Sequence, residues 1–106
     1  MFARIVEAHI KSNVTADFIN TINREVLSIL RDQPGFVDEY TYALEETPDR
    51  VVAISIWETK DDATRYAKAN FEKVKKALDR FLVQPLQVRT AKLVQSTTHK
   101  DLSAAA

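Results

Sequence analysis

Cysteine is absent, glycine occurs once and proline three times in 106 residues, and these scarcities remove whole classes of function. Without cysteine there are no disulfides, thiolate zinc sites, iron–sulfur ligands or thiol nucleophiles; the chain is read as one suited to a reducing cytoplasm. A single glycine cannot build a Walker loop or a dinucleotide-binding turn, because both need several glycines for backbone N–H groups to approach phosphate. An excess of one charge is missing too: Lys+Arg and Asp+Glu each number 15, so no net field gathers nucleic acid or anionic lipid. No apolar run reaches membrane-spanning length, and the opening Met1-Phe2-Ala3-Arg4-Ile5-Val6-Glu7 sets an acid among its apolar residues, unlike a signal peptide.

What is present is enough for one modest core, with 45% hydrophobic residues in a chain of single-domain size. Residues 1–94 read as the folded domain and 95–106 as a tail, mobile or laid over a partner. The apolar and β-branched stretch Phe2 to Ile10 predicts a first strand. Thr15 is the expected N-cap of a first helix, with Asp17 placed to meet its dipole. Phe18, Ile19, Ile22, Val26, Ile29 and Leu30 then share a face as far as about Asp32. Pro34-Gly35-Phe36 is a corner that stops this helix and launches a second strand, Phe36 to Leu44. A polar connection, Glu45 to Asp49, leads into a third strand, Val51 to Trp57, which should pair antiparallel with the second. Thr59-x-x-Asp62 resembles a capping box, and Ala63, Tyr66, Ala67, Phe71, Val74, Leu78 and Phe81 continue a second helical stripe. Pro85 ends it, and Leu86 to Val94 alternates as a fourth strand.

The order β-α-β-β-α-β predicts an α+β fold of the ferredoxin-like type: a four-stranded antiparallel sheet with two helices on one face. The other face then lacks a cover. Val51, Ala53 and Trp57 alternate with Val52, Ile54 and Ile56, so the third strand is apolar on both sides. Packing two such sheets together buries both faces, and a homodimer is expected on that ground alone.

With these elements placed, the chain resembles the antibiotic biosynthesis monooxygenase family of the dimeric α+β barrel superfamily. Pro34-Gly35-Phe36 stands where that family opens its second strand. Ile56-Trp57-Glu58-Thr59-Lys60-Asp61-Asp62-Ala63 resembles its strand-three tryptophan and the helix start that follows. The resemblance covers about Phe2 to Val94 and implies a dimeric α+β barrel. That family includes cofactor-independent oxygenases of quinol-like aromatics, relatives that bind and degrade haem, and proteins with no established activity. The resemblance therefore implies cofactor-independent oxidation of a small quinol-like aromatic; the alternatives are a non-catalytic dimeric module that binds a hydrophobic metabolite or serves as an interaction domain, and a haem-binding protein. The family's second helix often carries two histidines; their places hold Tyr66 and Asn70, the latter followed by Phe71. Its haem-degrading branch carries an asparagine on strand one, a tryptophan on helix two and a histidine beyond it, where this chain offers Ala8, Tyr66 and Lys75 or Lys76.

Asn70 falls near the middle of the second helix's apolar stripe, where it either hydrogen-bonds a ligand or turns to water or backbone. Tyr66, one turn earlier, aims its phenol into the same pocket or at its rim. His9 is the one histidine inside an expected element; it is either a proton carrier or a hydrogen-bonded interface residue. Under the oxygenase reading Asn70, Tyr66 and His9 orient the substrate hydroxyl or take its proton, while Trp57 and Phe71 line an apolar wall. A large aromatic that ends a buried strand, as Trp57 does, is more often a packing element than a catalyst. His9 and His99 lack the spacing of a metal motif, and neither metal nor cofactor is assigned. Arg4, Glu7 and Arg89 are expected on strand faces that a dimer buries, where charges must pair. Lys73, Lys75, Lys76 and Arg80, interrupted by Glu72 and Asp79, read as a solvated helix face and not a nucleic-acid patch.

Overall fold

The computed structural model describes residues 1–98, and its elements follow the expected order. They are β1 (Phe2–His9), α1 (Thr15–Thr21), a π-helical turn (Ile22–Val26), α2 (Leu27–Arg31), β2 (Phe36–Ala43), β3 (Arg50–Trp57), α3 (Lys60–Leu78), a 3₁₀ turn (Asp79–Phe81) and β4 (Gln87–Lys92). The strands form one sheet of order β2-β3-β1-β4, antiparallel throughout, which is the ferredoxin-like arrangement. Of the expected tail, residues 99–106, His99 among them, lie outside the described residues. Among the described residues no helix is long and apolar enough to cross a membrane.

Two expectations for the first helical run need correction. Thr15 is its first helical residue, not its cap: Val14 holds the N-cap position and makes no side-chain cap bond. The chain enters through Asn13 in the left-handed region, φ 64°, a turn that asparagine tolerates. The run is also not a single α-helix, because the Leu27 N–H bonds the Ile22 carbonyl five residues back. Just before this wide turn the buried Thr21 hydroxyl donates to the Asp17 carbonyl at 2.9 Å, a back-bond of the kind that bends helices. Arg80 reaches across to the same hydroxyl at 3.3 Å.

The second helix begins as its sequence implies. Thr59 accepts the Asp62 N–H at 3.1 Å, and Asp61 and Asp62 sit in the first turn. The Pro34-Gly35 corner is seated against that start. Gly35 has φ +80°, its carbonyl accepts the Glu58 N–H at 2.8 Å, and the Asp62 side chain occupies the place a Cβ would take.

Cross-strand register assigns the two sheet faces. Arg4, Val6 and Ala8 of β1 lie on the helix side with Val51, Ala53, Ser55 and Trp57 of β3, where the core is. Ala3, Ile5, Glu7, Val52, Ile54 and Ile56 lie on the outer side, joined by Asp38, Tyr40 and Tyr42 of β2. Glu7 and Arg89 are thus on the outer face and paired, 3.3 Å apart, with Arg50 at 3.9 Å from the same carboxylate. Arg4 is not on that face: it points inward, because it shares the parity of Ala8 and Ile10, both buried. In β2 the register shifts between Phe36 and Asp38, leaving Val37 unpaired, so Phe36 and Glu39 share the helix side despite their odd separation.

Candidate functional site

Between the sheet and the helical layer lies a cavity of about 50 Å³. Its roof is apolar: Ile22 and Val26 come from the π-helical turn, Leu30 from α2, and Tyr66, Phe71, Val74 and Leu78 from α3. Its floor carries a polar row across three strands, because Glu39 of β2 is opposite Ser55 of β3 and Ser55 is opposite Arg4 of β1. At the usual strand spacing the two ends of that row, Glu39 and Arg4, are about 10 Å apart. A predominantly apolar hollow with a few convergent polar groups has the lining of a small-molecule site, though such sites usually run to about 300 Å³ or more.

Each polar group has a distinct state. Arg4 is 8% exposed, its guanidinium carbon 5.7 Å from the Tyr66 ring centre and 4.8 Å from that of Phe71. Among the described residues no carboxylate pairs with it and no hydrogen bond takes its N–H groups. Burial lowers its pKa, the nearby Tyr66 phenol pulling the other way. Cation–π contacts, each about 2 kcal/mol when desolvated, offset only part of a desolvation cost of several kcal/mol for such an ion. Glu39 is half-buried, and burial pushes its carboxyl pKa up, opposed by the hydrogen bond it accepts from the Thr41 hydroxyl at 2.6 Å and assisted by neighbouring Asp38. The Ser55 hydroxyl accepts from the Trp57 ring N–H at 2.9 Å, which leaves its own proton to donate.

Of the residues singled out from sequence, the structure brings Tyr66 and Phe71 to the cavity wall. Tyr66 is 4% exposed, its hydroxyl has no hydrogen-bond partner among the described residues, and burial pushes its pKa up to about 12 against the pull of Arg4. Trp57 is fully buried and stands behind that wall: its ring stacks on Tyr66 with centroids 4.9 Å apart and meets Phe36 edge-on at 5.6 Å. Asn70 is not among the lining residues. Its amide donates to Gln33 at 3.1 Å, and Gln33 donates to the Ile29 carbonyl at 3.0 Å, so it ties α3 to the end of α2. His9 is farther off still, on the opposite sheet face and about 17 Å along β1 from Arg4 at the usual rise per residue. It is bonded to Asp49 at 2.9 Å. The cavity therefore offers haem no imidazole ligand, and its residues do not fit a histidine-ligated haem.

Arg4, Glu39 and Ser55 escaped the sequence reading as site residues. For Arg4 the signal was there: a lone charge in the parity of Phe2, Val6, Ala8 and Ile10. For Glu39 there was none, because the bulge at Val37 inverts the parity that alternation assigns.

Solved structures share this fold at low identity. A cofactor-independent oxygenase, SnoaB of Streptomyces nogalater, superposes with a TM-score of 0.77 at 19% identity, covering 92% of this chain and 97% of its own. A monooxygenase from the gene ActVA-Orf6 of Streptomyces coelicolor, in complex with nanaomycin D, gives 0.77 at 17% identity, covering 93% and 92%. A conserved protein of Methanosarcina mazei gives 0.73 at 15%, covering 87% and 92%. Likeness at this level speaks to the fold alone. No curated protein sequence matches the chain. Membership rests instead on a family description, Antibiotic biosynthesis monooxygenase, which matches residues 1–79, three quarters of the chain, and it places this protein in that family.

Proposed function

We propose that this protein is a cofactor-independent monooxygenase that oxidises a small planar quinol in the cavity between sheet and helices. The observation that carries the reading is the polar row on an otherwise apolar site, with an acid of raised pKa, Glu39, at one end. A carboxylate displaced toward neutrality suits it to accept a quinol hydroxyl proton. Ser55 has a proton free to orient the resulting oxyanion, and Tyr66, stacked on Trp57, presents a fixed aromatic wall for the ring. The electron-rich anion is then itself the reductant for dioxygen. A hydroquinone plus O₂ gives a hydroxyquinone plus water: one oxygen atom replaces a ring hydrogen, the other leaves as water, and all four electrons come from the substrate. Glu39 returns its proton to that water.

An oxygen electrode tests this directly with a panel of one- and two-ring hydroquinones. Uptake above the uncatalysed rate is expected, falling by about 10²–10⁴-fold in Glu39→Gln with folding intact. The alternative is a dimeric module that binds a hydrophobic metabolite without turnover. It is favoured by the cavity's resting size of about 50 Å³, which accepts a few waters and no aromatic ring until Phe71 or its neighbours move. Ligand binding with no oxygen uptake across the panel would establish that alternative.

A further inference from the structure

The sheet floor of the cavity holds a cation with no anion. Arg4 is more than nine-tenths buried, lines the hollow, and has two aromatic rings as its neighbours and no carboxylate among the described residues. The one acid in the same lining, Glu39, stands two strands away and is occupied by Thr41. A guanidinium carries five donors in a planar fork that matches a carboxylate bidentately, and among the described residues no acceptor takes that fork. Because Arg4 faces the helical layer, a second copy packed on the outer sheet face does not reach it. The apolar walls and the flat Tyr66 and Phe71 rings around it match a planar hydrocarbon body attached to the charged group.

We propose that Arg4 is an anion-binding residue and that the cavity's ligand is a planar aromatic carboxylate, its negative group on Arg4 and its ring against Tyr66. Phe71 is half-buried over the guanidinium, and its ring turns aside to admit the ligand. The inference rests on the cavity being the substrate site. Joined to that reading it narrows the substrate to a quinol bearing a carboxylate, with the hydroxyl toward Glu39 and the acid toward Arg4.

The test compares ligands equal in shape and unequal in charge: benzoate with benzamide, and 2-naphthoate with 2-naphthamide, titrated calorimetrically into the full chain. The acids are expected to bind tighter than their amides by about tenfold or more. Arg4→Met should erase that preference while melting at or above the wild-type temperature, since it removes a buried unpaired charge. Arg4→Lys should retain part of it. Equal affinity of acid and amide, failure of both acids to bind, a preference that survives Arg4→Met, or a lower melting temperature for that variant would each overturn the proposal. The oxygenase reading fails separately. Acid preference with no oxygen uptake, even from 2,5-dihydroxybenzoate, sinks that reading and leaves the anion site standing; uptake from neutral quinols that is indifferent to Arg4→Met does the reverse.

Discussion

Burial keeps the Tyr66 phenol neutral, since its anion would lose water against Trp57 and the roof of the cavity, and its pKa rises to about 12. The consequence for stability has a definite sign. Below pH 10 folded and unfolded chains are both protonated at this group. Above pH 10 the unfolded chain releases the proton and the folded one keeps it, so stability falls as pH rises from about 10 to about 12, by roughly 2–3 kcal/mol for a shift of this size. Tyr66→Phe should melt close to wild type at pH 7, because its hydroxyl has no partner to lose, and should lose less on going from pH 9 to pH 11. Parallel melts at those three pH values check it; equal alkaline losses in both proteins would contradict the assignment. At this scale the sequence was partly legible. Helical periodicity placed Tyr66 and Phe71 on the inner face, where they are. It could not tell that Asn70, on the same stripe, would find Gln33 37 residues earlier and tie two helices together.

The order of elements was readable because the turn residues and periods agree: Pro34-Gly35 at the corner, Thr59 and Asp62 at the cap, Pro85 before β4. What alternation and helical stripes cannot register is a single inserted residue. The π-helical turn at Ile22–Val26 keeps Ile22 and Val26 inward just as an α-helix would, so periodicity over so short a span does not separate the two. The bulge at Val37 changes which residues of β2 face the cavity without changing the strand's composition. The corner itself supports a quantitative expectation. Gly35→Val would place a β-branched side chain at φ +80° and drive it into Asp62, at a cost of about 2–4 kcal/mol. Its melting temperature should fall accordingly, and Gly35→Ala should fall less; a Val variant that melts with wild type would show that the turn relaxes at no cost.

Across the whole molecule the sheet separates two environments. On the helix side lie the core and the cavity. On the other, Ile5, Val52, Ile54 and Ile56 form an apolar field bordered by Tyr40 and Tyr42, which are 46% and 56% exposed. Of the acids on that face, Glu7 pairs with both Arg50 and Arg89 within the chain and Asp38 accepts the Tyr40 hydroxyl, so covering them leaves neither carboxylate without a partner. A homodimer is therefore expected, with light scattering giving twice 12.1 kDa at micromolar concentration. Ile54→Arg should shift that mass toward the monomer, and a wild-type chain that stays monomeric would remove the basis for the paired sheets. The stack of Trp57 on Tyr66 has an optical meaning beyond its packing. This is the one indole in the chain, sealed from solvent and a single ring's thickness from the cavity. Its emission is a built-in gauge that reports, without label or substrate turnover, both the loss of the fold and the arrival of a guest behind Tyr66.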